Sequence, residues 1–236
     1  MHQPRRDGSL RPAGRTDFGR TLTSGASFES TEGQWHVRLL PAGDLVLPSG
    51  RIIATDPCYL DRPDDTPPFV RTVAPGCYSV WLALARKASD APWAERVACM
   101  VLHLSDGPAI QWELALRPGE RLVDLPPGHV YGHGVDSGNA CFVDVAAIAA
   151  LDPALRRALY ADSVVGAYER AGWRTRFVYV LIPGSGAANL IACSSGYGDG
   201  CYPSWWGFDK TGAPCALATD FFVLVEEIDE AGIYGL

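Results

Sequence analysis

Apolar and polar positions alternate along much of the chain, and alternation predicts strands. Trp35–Leu40 reads as a first strand. A turn at Pro41–Asp44 leads to the short runs Leu45–Leu47 and Arg51–Thr55 around Pro48-Ser49-Gly50, a hairpin pattern. Cys77–Ala85 is apolar enough for a buried strand. Arg96–Leu104 and Ala109–Leu116 flank Ser105-Asp106-Gly107-Pro108, and Asp-Gly between such runs is a strong hairpin signal. In the second run Ile110, Trp112, Leu114 and Leu116 share one face, so these three runs predict an antiparallel meander.

Helical spacing is confined to the middle of the chain. Asp144 can N-cap VAAIAAL, its side chain accepting from free backbone N–H groups. Asp152-Pro153 starts a second helix, since Pro is tolerated at the first helical position. Leu155 and Leu159 continue its apolar face, and Gly172 closes it. Strands resume at Arg176–Ile182 and Leu190–Ser194, followed by an Asp199-Gly200 turn, CYPSWWGFD, an Asp209–Gly212 turn and Cys215–Val225. No internal repeat is evident. The pattern predicts a mainly β (α+β) protein: antiparallel, sandwich-like sheets with a central two-helix insert near 144–172.

Composition narrows the class. At 47% apolar over 236 residues, the chain can bury a core unaided and is too apolar for disorder. It lacks the roughly 18 unbroken apolar residues that a membrane helix needs. The net charge is -7, and no basic stripe offers a footprint for nucleic acid. Seven cysteines without a CxxC fit a reduced, cytoplasmic chain. Residues 1–33 are rich in Arg, Gly, Ser and Thr and lack the apolar segment of a secretory signal. They read as a disordered arm preceding a single β-rich domain over 34–236. The 25 glycines and 18 prolines concentrate, beyond that arm, in 56–76, 117–138 and 183–214. Loops of this kind on a rigid scaffold are where function usually sits.

Three stretches could carry chemistry. In Ser194–Asp220, Tyr197, Tyr202, Trp205 and Trp206 stand among glycines and could line a ligand pocket, although Trp also fills cores. Asp199 and Asp209 occupy turn positions that Asp favours for backbone reasons. Asp220 interrupts an apolar strand, so it is solvated or buried with a shifted pKa. Its neighbour Gly196-Tyr197-Gly198-Asp199-Gly200 is neither a dinucleotide fingerprint nor a P-loop. In Gly128–Asp144, His129 and His133 are the candidates for a divalent metal, the one cofactor weighed, but the segment is Gly-broken. Cys141 is a candidate nucleophile, with His133 as base and Asp136 orienting it, or else a core residue. In Ala54–Leu60, Asp56 ends a strand before Pro57, a place for a ligand or for a plain Asx-turn.

The stretches LPSGRIIATDP, PGCYSVWLALA, YGHGVDSGNACFVD and SSGYGDGCYPSWWGFDKTGAPCALATDF resemble, in order, the motifs of the DUF4241 family, over about residues 40–225. The resemblance implies a bacterial or occasionally eukaryotic cytosolic protein of mixed, β-rich fold, and no reaction. Asp56, Asp136, Cys141, Asp144, Asp199, Tyr202, Trp206 and Asp220 fall on its motif positions. The expectation is a loop-built polar and aromatic pocket in a small-molecule-processing enzyme, with Asp56, Asp136, Asp199 and Asp220 (or three of them) converging for hydrolase-like acid/base work, or in a ligand binder. The alternative is a non-catalytic immunity or regulatory partner that binds another protein through its acidic surface.

Overall fold

In the computed structural model the described residues are 9–10, 14–30, 33–62 and 64–227. They form a mainly β protein of antiparallel sheets with a few helices. A curled seven-stranded sheet has the order Ser27–Ser30, Gly33–Leu47, Gly76–Lys87, Arg96–His103, Pro214–Asp220, Ser204–Phe208, Gln111–Leu114. A four-stranded sheet has the order Phe177–Leu181, Asn189–Ser194, Asn139–Asp144, Ile52–Thr55. The larger core cluster joins the seven-stranded sheet to one face of the smaller sheet through Ile52, Ala54, Ala140, Phe142, Ile191 and Cys193. The other face, with Ile53, Cys141, Val143, Leu190 and Ala192, packs on the helical residues Ala147, Ile148, Leu159, Val164 and Tyr168. Both faces of the small sheet are therefore covered. That is why Ile52–Thr55 and Ala140–Asp144 are buried at every position instead of alternating.

The helical insert follows its capping residues. The Asp144 carboxylate accepts from Ala146 N, and Asp152 accepts from Ala154 N and Leu155 N. The second helix runs through Pro153–Ala158, a π turn at Leu159–Val164 and Val165–Ala171, and ends at Gly172, whose φ is 84°.

Two predicted hairpins pair differently. Pro48–Gly50 does not fold Arg51–Thr55 back on Leu45–Leu47; it carries the chain from the large sheet to the small one, where Ile52–Thr55 pairs with Asn139–Asp144. Likewise, Arg96–His103 and Gln111–Leu114 are separated by two strands. The connection arches over the Asp209–Gly212 turn, with Leu104 N bonded to Cys215 O and Ile110 N to Phe208 O. In each case a turn signal specifies a change of direction, and buried surface elsewhere chooses the partner. Pro41–Asp44 is a bulge inside one continuous strand, not a turn.

The stretch 1–33, expected to be a disordered arm, carries ordered elements where it is described. Asp17 caps the short helix Phe18–Thr21, and Ser27–Ser30 pairs with Gly33–Leu47. Phe18 and Phe28 are buried in the main core. Two well-placed aromatics supply apolar surface that an average over a polar stretch conceals.

The structure also exposes an internal repeat that sequence reading passed over. Ser49-Gly50-x5-Asp56 and Ser137-Gly138-x5-Asp144 are the same pattern, and their strands pair antiparallel with Ala54 opposite Phe142. Gly50 and Gly138 have φ of 68° and 69°, backbone that L side chains rarely adopt. The halves differ in surroundings. A methyl group on Gly50 would come 1.9 Å from the Val73 carbonyl oxygen, whereas at Gly138 the nearest atom is 3.9 Å away.

Candidate functional site

The repeat explains two of the motif aspartates. One oxygen of Asp56 accepts from Ser137 Oγ at 2.7 Å and Cys58 N at 2.8 Å; the other accepts from Ser137 N at 2.7 Å and Asp136 N at 2.9 Å. Asp144 mirrors this, accepting from Ser49 Oγ at 2.7 Å, Ala146 N at 2.7 Å and Ser49 N at 2.9 Å. Each aspartate thus ends one strand and holds the turn that starts the other. Both are fully buried. Asp56 spends its four acceptor positions on the protein itself and Asp144 three of its own, which makes Asp56 a clamp and leaves it no oxygen free for a substrate.

Asp136 is exposed, and its side chain accepts from Tyr59 Oη. Asp199, also exposed, lies beside it, because Val135 pairs with Gly200. Asp56, Asp136 and Asp199 are therefore neighbours at one end of the small sheet, while Asp220 stands on the large sheet opposite Cys99. Asp220 is buried and accepts from Phe222 N at 2.9 Å and from the Thr16 hydroxyl. Burial raises its pKa to about 6, against the lowering effect of those two bonds.

Cys141 is a core residue between the small sheet and the helices, and burial pushes its thiol well above the ordinary value. A thiolate nucleophile needs the opposite environment. Among the aromatics, Tyr197 is exposed with Arg96 4.4 Å over its ring, and Trp206 is buried edge-on to Phe69. Trp205 packs beside Leu10 and Tyr131. His129 lies half-buried before the strand Val130–Tyr131, whereas His133 is buried. Among the described residues no group of three or more His, Cys, Asp or Glu is placed to hold a metal.

A small cleft gathers a different set: Phe69, Ala115, Arg117, Glu120, Tyr131, Gly132, His133, Tyr202 and Ser204. It draws on all three Gly/Pro-rich segments. The strand His133–Val135 pairs with Gly200–Tyr202, which sets His133 opposite Tyr202. Tyr202 Oη donates to Gly198 O at 2.8 Å, and Ser204 Oγ and Thr219 Oγ1 bond each other at 2.8 Å. Arg117 reaches the open edge of the small sheet, where one terminal guanidinium nitrogen donates to Ala54 O at 2.6 Å. Its ring neighbour is Phe69, 5.6 Å from the guanidinium carbon. Glu120 turns back so that its Oε2 accepts from Arg117 N at 2.7 Å.

Among the described residues two nitrogens here have no hydrogen-bond partner: Arg117 Nε and His133 Nε2 are both buried and unbonded. Burial, then the Arg117 charge, lowers the His133 pKa to about 3, so the ring is neutral near pH 7. Burial also lowers the Arg117 pKa and raises that of Glu120, with each group's charge opposing the shift of the other. The cleft encloses about 180 Å³ including its open mouth and leaves room for about one water-sized group at its base. Arg117, Glu120 and Phe69 escaped the sequence reading. A charged Arg-Pro-Gly-Glu directly after an apolar strand was the available signal.

The model of a protein family described as "Protein of unknown function (DUF4241)" matches residues 45–219. Neither the curated proteins nor the solved structures contain a match.

Proposed function

The chain belongs to the DUF4241 family, whose description carries no activity, and on that premise we propose that it is a small-molecule binder whose ligand enters the cleft between Arg117, His133 and Tyr202. The observation that carries the reading is the pair of buried, unpartnered nitrogens, Arg117 Nε and His133 Nε2, on two residues that line one cleft. Leaving a buried polar group unbonded costs about 1–3 kcal/mol, so two in one place are best explained by a ligand that bonds them. The cleft's make-up supports this: three aromatic rings and a few convergent polar groups, drawn from loops on a β scaffold.

Binding has more support than hydrolysis. Asp56 is saturated by protein donors, and the Cys58, Cys141 and Cys201 thiols are all pushed upward, chiefly by burial. Free thiols at all seven positions fit a reducing compartment such as the cytoplasm. No helix among the described residues is long and apolar enough to cross a membrane.

The test is a calorimetric and thermal-shift screen of small acids, alcohols, sugars and nucleosides. At least one compound class should raise the melting temperature of the wild-type chain and lose that effect in Arg117→Met. Stabilisation that survives Arg117→Met unchanged, or none across the panel, overturns the proposal.

A further inference from the structure

Resting on that reading of the cleft, the ligand's chemistry can be taken further. Arg117 is a half-buried cation whose Nε is fully buried, and among the described residues no carboxylate stands within ion-pair distance of its guanidinium. One terminal nitrogen of its fork is fixed by Ala54 O, and Nε is left over in the cleft that His133 also lines. A partly desolvated cation without a close ion pair carries a cost, and an incoming anion relieves it. The cleft encloses room for about one water-sized group, so anything larger extends into its open mouth. The two N–H groups, Arg117 Nε and His133 Nε2, can each bond one oxygen of a flat carboxylate. Phe69, Tyr131 and Tyr202 offer ring surface to whatever the carboxylate is attached to.

Glu120 shares the cleft. Its carboxyl is half-buried and already raised in pKa by that burial, with one oxygen committed to Arg117 N. A second carboxylate at Arg117 would take over the cation that keeps Glu120 ionised. Two carboxylates around one cation in a partly dry site favour holding a proton. The groups that face Glu120 are few. Arg117 attracts it, and Cys201 lies near with its thiol raised to about 12. His133 is neutral, and the Tyr202 phenol is raised to about 12. Tyr131 Oη is occupied in donating to Arg121 O. Arg121 and Asp124 stand exposed at 3.7 Å from each other on the adjoining turn.

We propose that the cleft takes the carboxylate of a small organic acid between Arg117 and His133, and that a proton enters with it onto Glu120. The carboxylate accepts from Arg117 Nε–H and His133 Nε2–H, and the proton comes from solvent. No covalent bond changes.

The experiment titrates benzoate, benzamide and inorganic phosphate into the full chain from pH 5 to 8, with Glu120→Gln and Arg117→Met alongside and circular dichroism confirming that each variant is folded. Benzoate affinity should rise as pH falls, by at most about tenfold per pH unit for one proton. Glu120→Gln, which mimics the protonated acid, should bind benzoate with no pH slope and at least as tightly as wild type at pH 8. Arg117→Met should lose binding by more than about tenfold. Benzamide binding as tightly as benzoate, or phosphate binding more tightly, overturns the carboxylate assignment while leaving a ligand cleft intact. A flat benzoate profile in wild type overturns the proton. Failure of every probe to bind both wild type and Glu120→Gln overturns this inference; a neutral compound that binds in the wider screen and depends on Arg117 would still uphold the binder reading.

Discussion

The Asp56–Asp144 pair and the Arg117–His133 pair are both polar chemistry inside an apolar core, and they meet at one strand. Ile52–Thr55 is held at its end by Asp56 and along its open edge by Arg117 on Ala54 O. The aspartates accept seven hydrogen bonds between them, each from a neighbour the fold brings to it. The cleft pair keeps two nitrogens unbonded. Burial alone therefore does not mark a functional residue in this protein. A saturated buried carboxylate is architecture; the unsaturated buried donors are the feature on which the proposed binding role rests. Asp56 resembles a catalytic acid in the sequence and is bonded like a clamp, while Arg117 resembles a loop charge and keeps a buried nitrogen unbonded.

Substitutions can break or sharpen that contrast. The largest effect is expected at Asp56→Ala, which strands two backbone N–H groups of the 136–137 turn, Cys58 N and the Ser137 hydroxyl. Urea unfolding should show a loss of about 3–5 kcal/mol. A loss under about 1 kcal/mol would remove Asp56 from the architectural class.

Asp220 stands between the two cases, buried with fewer donors than Asp56. Below about pH 4 its carboxyl is protonated whether the chain is folded or not; between about 4 and about 6 only the folded chain keeps the proton; above that, the ionised group is buried. Its contribution therefore turns unfavourable as pH rises through that window. Asp220→Asn should stabilise the protein at pH 7.5 by up to about 3 kcal/mol and leave it unchanged near pH 4, read from paired unfolding curves. A gain that is equal at both pH values contradicts the assigned cause.

The smallest effect at neutral pH is expected at His133→Leu. Removing an unpartnered ring relieves its desolvation cost and forfeits its packing, so stability at pH 7 should change by no more than about 1 kcal/mol. The folded-state pKa is lowered to about 3, so the unfolded chain binds a proton that the folded one refuses once pH drops below about 6.5. Wild type should lose stability from there toward pH 3, and the leucine variant should not. Parallel acid unfolding curves for the two proteins would overturn this.

Much of the local structure was legible in the sequence. Asp144, Asp152-Pro153 and Gly172 bound the helices through capping chemistry that acts within a few residues, and the Asp209–Gly212 turn forms as read. Strand partners were not legible, because a turn residue reports only on its own φ and ψ. Pro48–Gly50 and Asp106-Gly107 turn the chain as expected and deliver it to strands that only the folded core selects. The repeat was visible in principle, yet only Ser, Gly and Asp match across its eight positions. Those three carry the clamp, and the apolar residues between them alternate between two cores. The cleft escaped for a related reason. Its residues come from separate stretches of chain, and an arginine declares itself only by the partners it lacks.

The reciprocal clamps also bear on how the molecule comes together and apart. Ser137 lies 81 residues from Asp56, and Ser49 lies 95 from Asp144. The first clamp to form bears the entropy of closing a long loop; the second, tying the same two strands, closes almost none. Neither persists well alone, and each raises the effective concentration of the other. The two octapeptides therefore act as a double latch whose halves, far apart in sequence, engage and release in a single step.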